Sequence, residues 1–153
     1  MRRTLAISVA LLFAAVLCIA AGDAAAQGRV YKVGDRGPAG GWIFNDKGYY
    51  SDGWRYFEAA PADVLSRKVT WHEAVRLCSE YRGGGYSGWG LPGKQTLNLL
   101  INNLRGLGAG FSIAEYWSQT QNEYGSVWST GFTGSSGFRD KNRTNCARCV
   151  RQF

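Results

Sequence analysis

Histidine occurs once in the 153-residue chain, at His72, and methionine once, at Met1. A single imidazole excludes multi-histidine metal sites. It leaves a Ser-His-Asp triad dependent on His72, and no G-x-S-x-G context accompanies it. Its position next to Trp71, at the start of a helical pattern, points it to solvent. Acidic residues are the minority, 11 against 18 Lys and Arg. Asp46, Asp52, Glu58, Glu115 and Glu123 are scattered, so no spacing singles out an acid–base pair. Nor does any dense carboxylate run nominate a calcium loop. Proline is scarce, and no repeat, low-complexity tract or linker divides the chain.

What is present begins with a leader. Arg2 and Arg3 precede an apolar run over residues 5–21, and the small residues Ala24-Ala25-Ala26 suit a signal peptidase. The run is short for a membrane span of roughly 20 residues, and no basic stop-transfer cluster follows it. Lipid attachment at Cys18 lacks the small residue expected just before such a cysteine. The expectation is a signal peptide over 1–26 and one exported domain over 27–153, in the periplasm, at the cell surface or secreted. No membrane span is expected to remain after cleavage.

Losing Arg2, Arg3 and Asp23 takes the formal charge from +7 to +6. Arg139, Lys141, Arg143, Arg148 and Arg151 crowd the last part of the chain. Such a cluster favours anionic partners: acidic or sulfated glycans, phospholipid head groups or acidic proteins. The blander reading of the same cations is solubility. Without Cys18, three cysteines remain, Cys78, Cys146 and Cys149. An odd count in an oxidising compartment gives one disulfide and one thiol left over.

Local patterns divide the domain into strands, two helices, then strands. GGWIF and WRYFEAA read as short strands on either side of an NDKG turn. Thr70 and Glu73 form a T-x-x-E capping box. Trp71, Ala74, Val75, Cys78 and Tyr81 then recur at helical spacing until the glycines at 83–85. Leu97, Leu100, Ile101 and Leu104 mark a second apolar stripe, and EYWSQT, SVWSTGF and CARCVRQF return to strand character. That order predicts an α+β fold rather than a wound parallel sheet.

Gly88 to Lys94 reads G-x-x-x-x-G-K, the spacing of a phosphate-cradling loop. Gln95 stands where the magnesium-holding Ser or Thr belongs, and RGGGYSG precedes it in place of a buried strand. A nucleotide site is therefore not expected. Cys146-Ala147-Arg148-Cys149 invites a redox reading, but such pairs depend on a helix N-terminus, and this one sits in a strand-like segment. A zinc site from His72 and the three cysteines lacks a second paired motif.

Another ordered set is more specific. Trp71-x-x-Ala74-x-x-x-Cys78 is followed by Gly85-Tyr86-Ser87-x-Trp89-x-Leu91-Pro92, then Leu97, Tyr116-Trp117-Ser118, Val127-Trp128 and Arg148-Cys149-Val150-Arg151-Gln152-Phe153. This set resembles the Lcl C-terminal-like family of exported bacterial domains, as does the preceding GDRGPAGGWIFNDKGYYSDGWRYFEAAP. The resemblance spans Val33 to Phe153. The chain departs from the family's W-R-L-P-T-x-x-E-L at Gly90, Gly93 and Thr96. Gly93 can still serve as an N-cap.

The resemblance implies a C-type lectin-like fold, two helices packed on twisted antiparallel sheets. It also implies that Cys78 bridges to the closing strand, at Cys146 or Cys149. Residues three apart on a strand face opposite ways, and Cys78–Cys149 is the pairing expected, with Cys146 left over. A related formylglycine-generating group raises an enzyme reading through Cys146 or Cys149, but its catalytic segments are not recognisable here.

The expected function is non-catalytic recognition of an extracellular glycan or protein, with an anionic glycan favoured. No nucleic-acid partner and no cofactor is expected. A structural envelope role and a retroelement-diversified binding surface are the alternatives. Trp117 and Trp128 are expected in the core. The contact candidates are Gln119, Gln121, Asn122, Tyr124, Arg139, Lys141, Asn142, Arg143 and Asn145, where amides give direction and rings give area. The Asn142-Arg143-Thr144 sequon is read as incidental.

Overall fold

The computed structural model describes residues 28–153; the leader expected over 1–26 lies outside them. Strand β1 (Trp42–Ser51) folds back on β2 (Trp54–Ala59). The two are antiparallel, with Ser51 opposite Trp54. Only Asp52 and Gly53 lie between them, at φ 53° and 81°. Two consecutive left-handed residues make the tight turn whose twist matches paired strands, and Asp-Gly is suited to it.

The turn expected at NDKG is therefore misplaced. Residues 45–48 belong to β1, where the register shifts between Asp46 and Ser51 and Gly48 sits at φ 89°. Asp46 accepts from the Gly48 amide and from Arg55 across the hairpin, while the Lys47 ammonium donates to the Ser51 carbonyl. Those bonds make the segment an irregularity in one long strand, not its end.

Helix α1 (Trp71–Glu80) starts as the capping box requires. The Thr70 hydroxyl accepts from the Glu73 amide, while the Glu73 carboxylate accepts from Arg67. Trp71, Ala74 and Cys78 are its buried face. It ends at Glu80, and Gly83–Gly85 form a separate short turn. Helix α2 (Lys94–Leu104) opens at Gly93 and buries Leu97, Leu100, Ile101 and Leu104, the whole stripe. It packs on β1, β3 and β4, and α1 packs on β3.

After α2, β3 (Glu115–Gln121), β4 (Val127–Gly131) and β5 (Ser136–Arg139) form an antiparallel meander. Strand β6 (Val150–Gln152) leaves it and pairs antiparallel with β2, completing a sheet of order β1-β2-β6. Among the described residues the fold is thus α+β, two helices with two small antiparallel sheets. CARCVRQF is shorter as a strand than its pattern suggests, because 145–149 threads between other segments instead of lying in a sheet. It bridges Val69 at Asn145 and Tyr116 at Cys146.

That thread separates two apolar clusters. Ala147 and Cys149 join Trp71, Ala74, Cys78, Trp89 and Trp117. Cys146 and Val150 join Phe44, Leu97, Leu100, Leu104 and Tyr116. Alternate residues of the segment therefore serve opposite clusters, as extended backbone dictates. Cys149 bonds to Cys78, with Cα atoms 5.2 Å apart, and Cys146 is a buried free thiol.

Burial, and next the charge of Asp63, push the Cys146 thiol above its ordinary pKa. The thiolate is the reactive form, so Cys146 should resist iodoacetamide in the native protein. Mass mapping should find the peptide that carries it alkylated only after denaturation.

Candidate functional site

The nine contact candidates do not form one surface. Gln119 and Gln121 are exposed on β3. Asn122 accepts from the Tyr124 and Ser126 amides through Oδ1, a side-chain-closed turn with Gly125 at φ 78°. Its carbonyl is spent on holding the loop between β3 and β4. The loop presents Tyr124, which is 83% exposed.

Loop 140–144 reaches the same place from the other side. The Asp140 carboxylate accepts from the Asn142 amide, and the Lys141 carbonyl accepts from the Trp71 amide at the start of α1. The Lys141 ammonium lies 5.0 Å from the Trp71 ring centroid, within cation–π range. Tyr124, Ser126, Asp140, Lys141 and Asn142 line a hollow of about 200 Å³ with His72 on its edge. His72 is exposed, as its sequence position suggests. Its place here was not legible, because the Trp71–Lys141 bond and the Val69–Asn145 bridge that bring the start of α1 to this loop are tertiary contacts.

Two candidates are committed elsewhere. Arg139 donates from Nε to Glu115 Oε2 (3.0 Å) and from Nη2 to Oε1 (2.7 Å), a bidentate pair that Ser129 extends. The Arg139 hydrogen bonds hold the Glu115 carboxyl below the usual carboxylate range. Asn145 is buried, its backbone paired with Val69 and its side-chain amide nitrogen without a protein partner. Arg143 is exposed. Of the two tryptophans expected in the core, Trp117 is fully buried and donates to the Val69 carbonyl. Trp128 is half-buried, bonded to Thr130 and covered by Lys94 at 3.8 Å.

The cation cluster is also taken apart by the fold. Arg148 is 0% exposed and Arg151 6%. Arg148 donates to Asp63 through Nε (2.8 Å) and to the carbonyls of Ala60, Ala109 and Gly110. Arg151 donates to Glu58 at 2.9 Å. Asp63 was not singled out beforehand. It accepts from Ser112 and Tyr116 besides Arg148, joining two loops and β3 at one carboxylate. Burial, and next the Asp63 charge, raise the Tyr116 phenol well above its ordinary pKa.

Of the set weighed for zinc, Cys78 and Cys149 share a disulfide, Cys146 serves the other cluster and His72 faces solvent. Among the described residues, no three or more His, Cys, Asp or Glu side chains converge to hold a metal ion. Nor is any helix among them long and apolar enough to cross a membrane. The G-x-x-x-x-G-K residues run through a loop that buries Trp89, Leu91 and Pro92 into α2, and the Lys94 amide donates to the Thr120 hydroxyl. No family model matches the chain, and no curated protein matches it.

Proposed function

We propose that this chain is an exported binding module with a C-type lectin-like fold, similar to the Lcl C-terminal-like family, that recognises an anionic extracellular glycan. The carrying observation is Tyr124, a fully presented ring on a loop braced by Asn122, beside Lys141 at the rim of a polar hollow. A ring at that place supplies contact area with few rotamers to freeze, and Lys141 with exposed Arg143 supplies the charge. The contact set narrows to Gln119, Gln121, Tyr124, Lys141, Asn142 and Arg143. Asn122, Arg139 and Asn145 drop out as direct ligands and act as supports.

A glycan array probed at low and high salt tests this. Binding should be confined to acidic or sulfated glycans and should fall as salt rises. Tyr124→Ala should weaken it about tenfold, or about 1.4 kcal/mol. Lys141→Ala with Arg143→Ala should flatten the salt dependence. Retention of no acidic glycan at low salt, or unchanged binding in both variants, would sink the proposal.

A further inference from the structure

The hollow beside Tyr124 has a charge balance that its anionic ligand must overcome. Its volume of about 200 Å³ is below the usual range for a whole small molecule. It therefore has room for one substituent of a glycan, not for a length of chain. Tyr124, Ser126 and Asn142 line it with hydroxyl and amide groups, and Asp140, Lys141 and His72 bring ionisable ones. Asp140 and Lys141 carry opposite charges, and neither belongs to an ion pair among the described residues. One offsets the other, so together they give an anion no net attraction.

The elements that meet here do not tip the balance. On α1, Glu73 is paired with Arg67 and Arg76 with Glu80. Arg139 of β5 is paired with Glu115 of β3. Lys68, in the segment before α1, is not on the wall of the hollow and acts instead on the Cys146 thiol. The loop between β3 and β4 adds exposed Glu123 and Tyr124, and loop 140–144 adds exposed Arg143. Phenols are neutral below about pH 9, and the charge of Glu123 offsets that of Arg143. Only His72 is left to set the sign.

His72 is placed to do so. It is the second residue of α1, exposed, and it lines the hollow. Its ring meets the Trp71 ring edge-on, with centroids 5.1 Å apart, and the Lys141 ammonium lies 5.0 Å from the centroid of the same Trp71 ring. Trp71 is buried and its indole N–H donates to the Ser118 carbonyl, so one fixed ring carries both groups. Imidazole is the side chain that ordinarily gains its charge between about pH 8 and pH 5, and the chain has no other histidine. A proton there turns a neutral hollow positive and adds a charged donor.

We propose that His72 is a ligand-binding residue of this site and that its protonation gates capture of the anionic substituent, so that binding strengthens in acid. This rests on the reading of the Tyr124 hollow as an anionic-glycan site.

The test is a titration of the ¹⁵N-labelled protein with glucuronic acid and with galactose 6-sulfate, followed at the Gly125 and Asn142 amides. It is run at about pH 5 and about pH 8 at constant ionic strength. Both probes keep one negative charge at either pH, and galactose is the neutral control. At least one probe should give a saturable shift in acid, and the tighter of the two names the substituent. Its affinity should be about tenfold weaker at the higher pH, the worth of one charge-assisted hydrogen bond. His72→Gln should bind in acid no better than the wild type does at the higher pH. His72→Lys, with a permanent charge, should bind equally at both. Both variants change an exposed position and should keep the amide spectrum of the folded protein.

Equal wild-type affinity at the two pH values, an acid gain that survives in His72→Gln, or no saturable shift with either probe would each overturn the proposal. Acid-dependent capture of a probe while the array retains no acidic glycan would uphold the gate and sink the glycan reading. Array glycans bound with no dependence on pH would do the reverse.

Discussion

Reducing the Cys78–Cys149 disulfide is expected to cost about 4 kcal/mol, since the bridge closes a long loop, with 71 residues of sequence separation. Small domains are stable by only about 5–15 kcal/mol, so this one bond holds a large share of the total. Both half-cystines are fully buried, one on α1 and one in the thread beside β6. Urea unfolding with and without reductant measures the effect, and the double variant Cys78→Ala with Cys149→Ala separates it from side reactions of the thiols. An unchanged midpoint would mean that packing alone fixes α1 against the thread.

Arg148→Ala should be comparably severe, at about 3–5 kcal/mol, because it leaves the partner of a buried ion pair unmatched. The guanidinium satisfies Asp63 and three carbonyls at 2.8–3.1 Å, and its carbon lies 4.4 Å from the Phe111 ring centroid. Removing it strands those acceptors and opens a cavity where the chain passes from β2 toward α1. Arg148→Lys should rescue little, since one ammonium cannot reproduce a planar fork that reaches two loops at once. Equilibrium unfolding of the three proteins checks this. A lysine variant near wild-type stability would show that charge, not shape, is what the site needs. Arg148 adjoins Cys149, so the two losses should not add.

These residues show where the sequence was informative. The Leu97 stripe and the Thr70–Glu73 box are local signals and led directly to α2 and α1. The Cys78–Cys149 pairing came from resemblance and strand alternation, and alternation works here because the thread has a different cluster on each side. The cations misled. Arg139, Arg148 and Arg151 look like one basic patch, but their carboxylate partners lie 24, 85 and 93 residues away. Only the tertiary fold supplies such partners, so charge counted along the chain overstated the surface. NDKG failed similarly, since its turn-forming residues were absorbed into an irregular strand by Arg55 across the hairpin. Gly88 and Gly93 have the spacing of a phosphate loop, a reading that Gln95 already argued against, and in the fold they line a cleft beside β6.

The thread over 145–149 also sets an order of events during synthesis. It supplies residues to both apolar clusters, and β6 directly after it closes the first sheet. Neither cluster is complete until that segment has left the ribosome, although nearly all their other residues emerge earlier. Contacts this distant in sequence are slow to form, and the early strands wait with open edges and apolar faces. The nascent chain is therefore expected to be most prone to aggregation before β6 arrives.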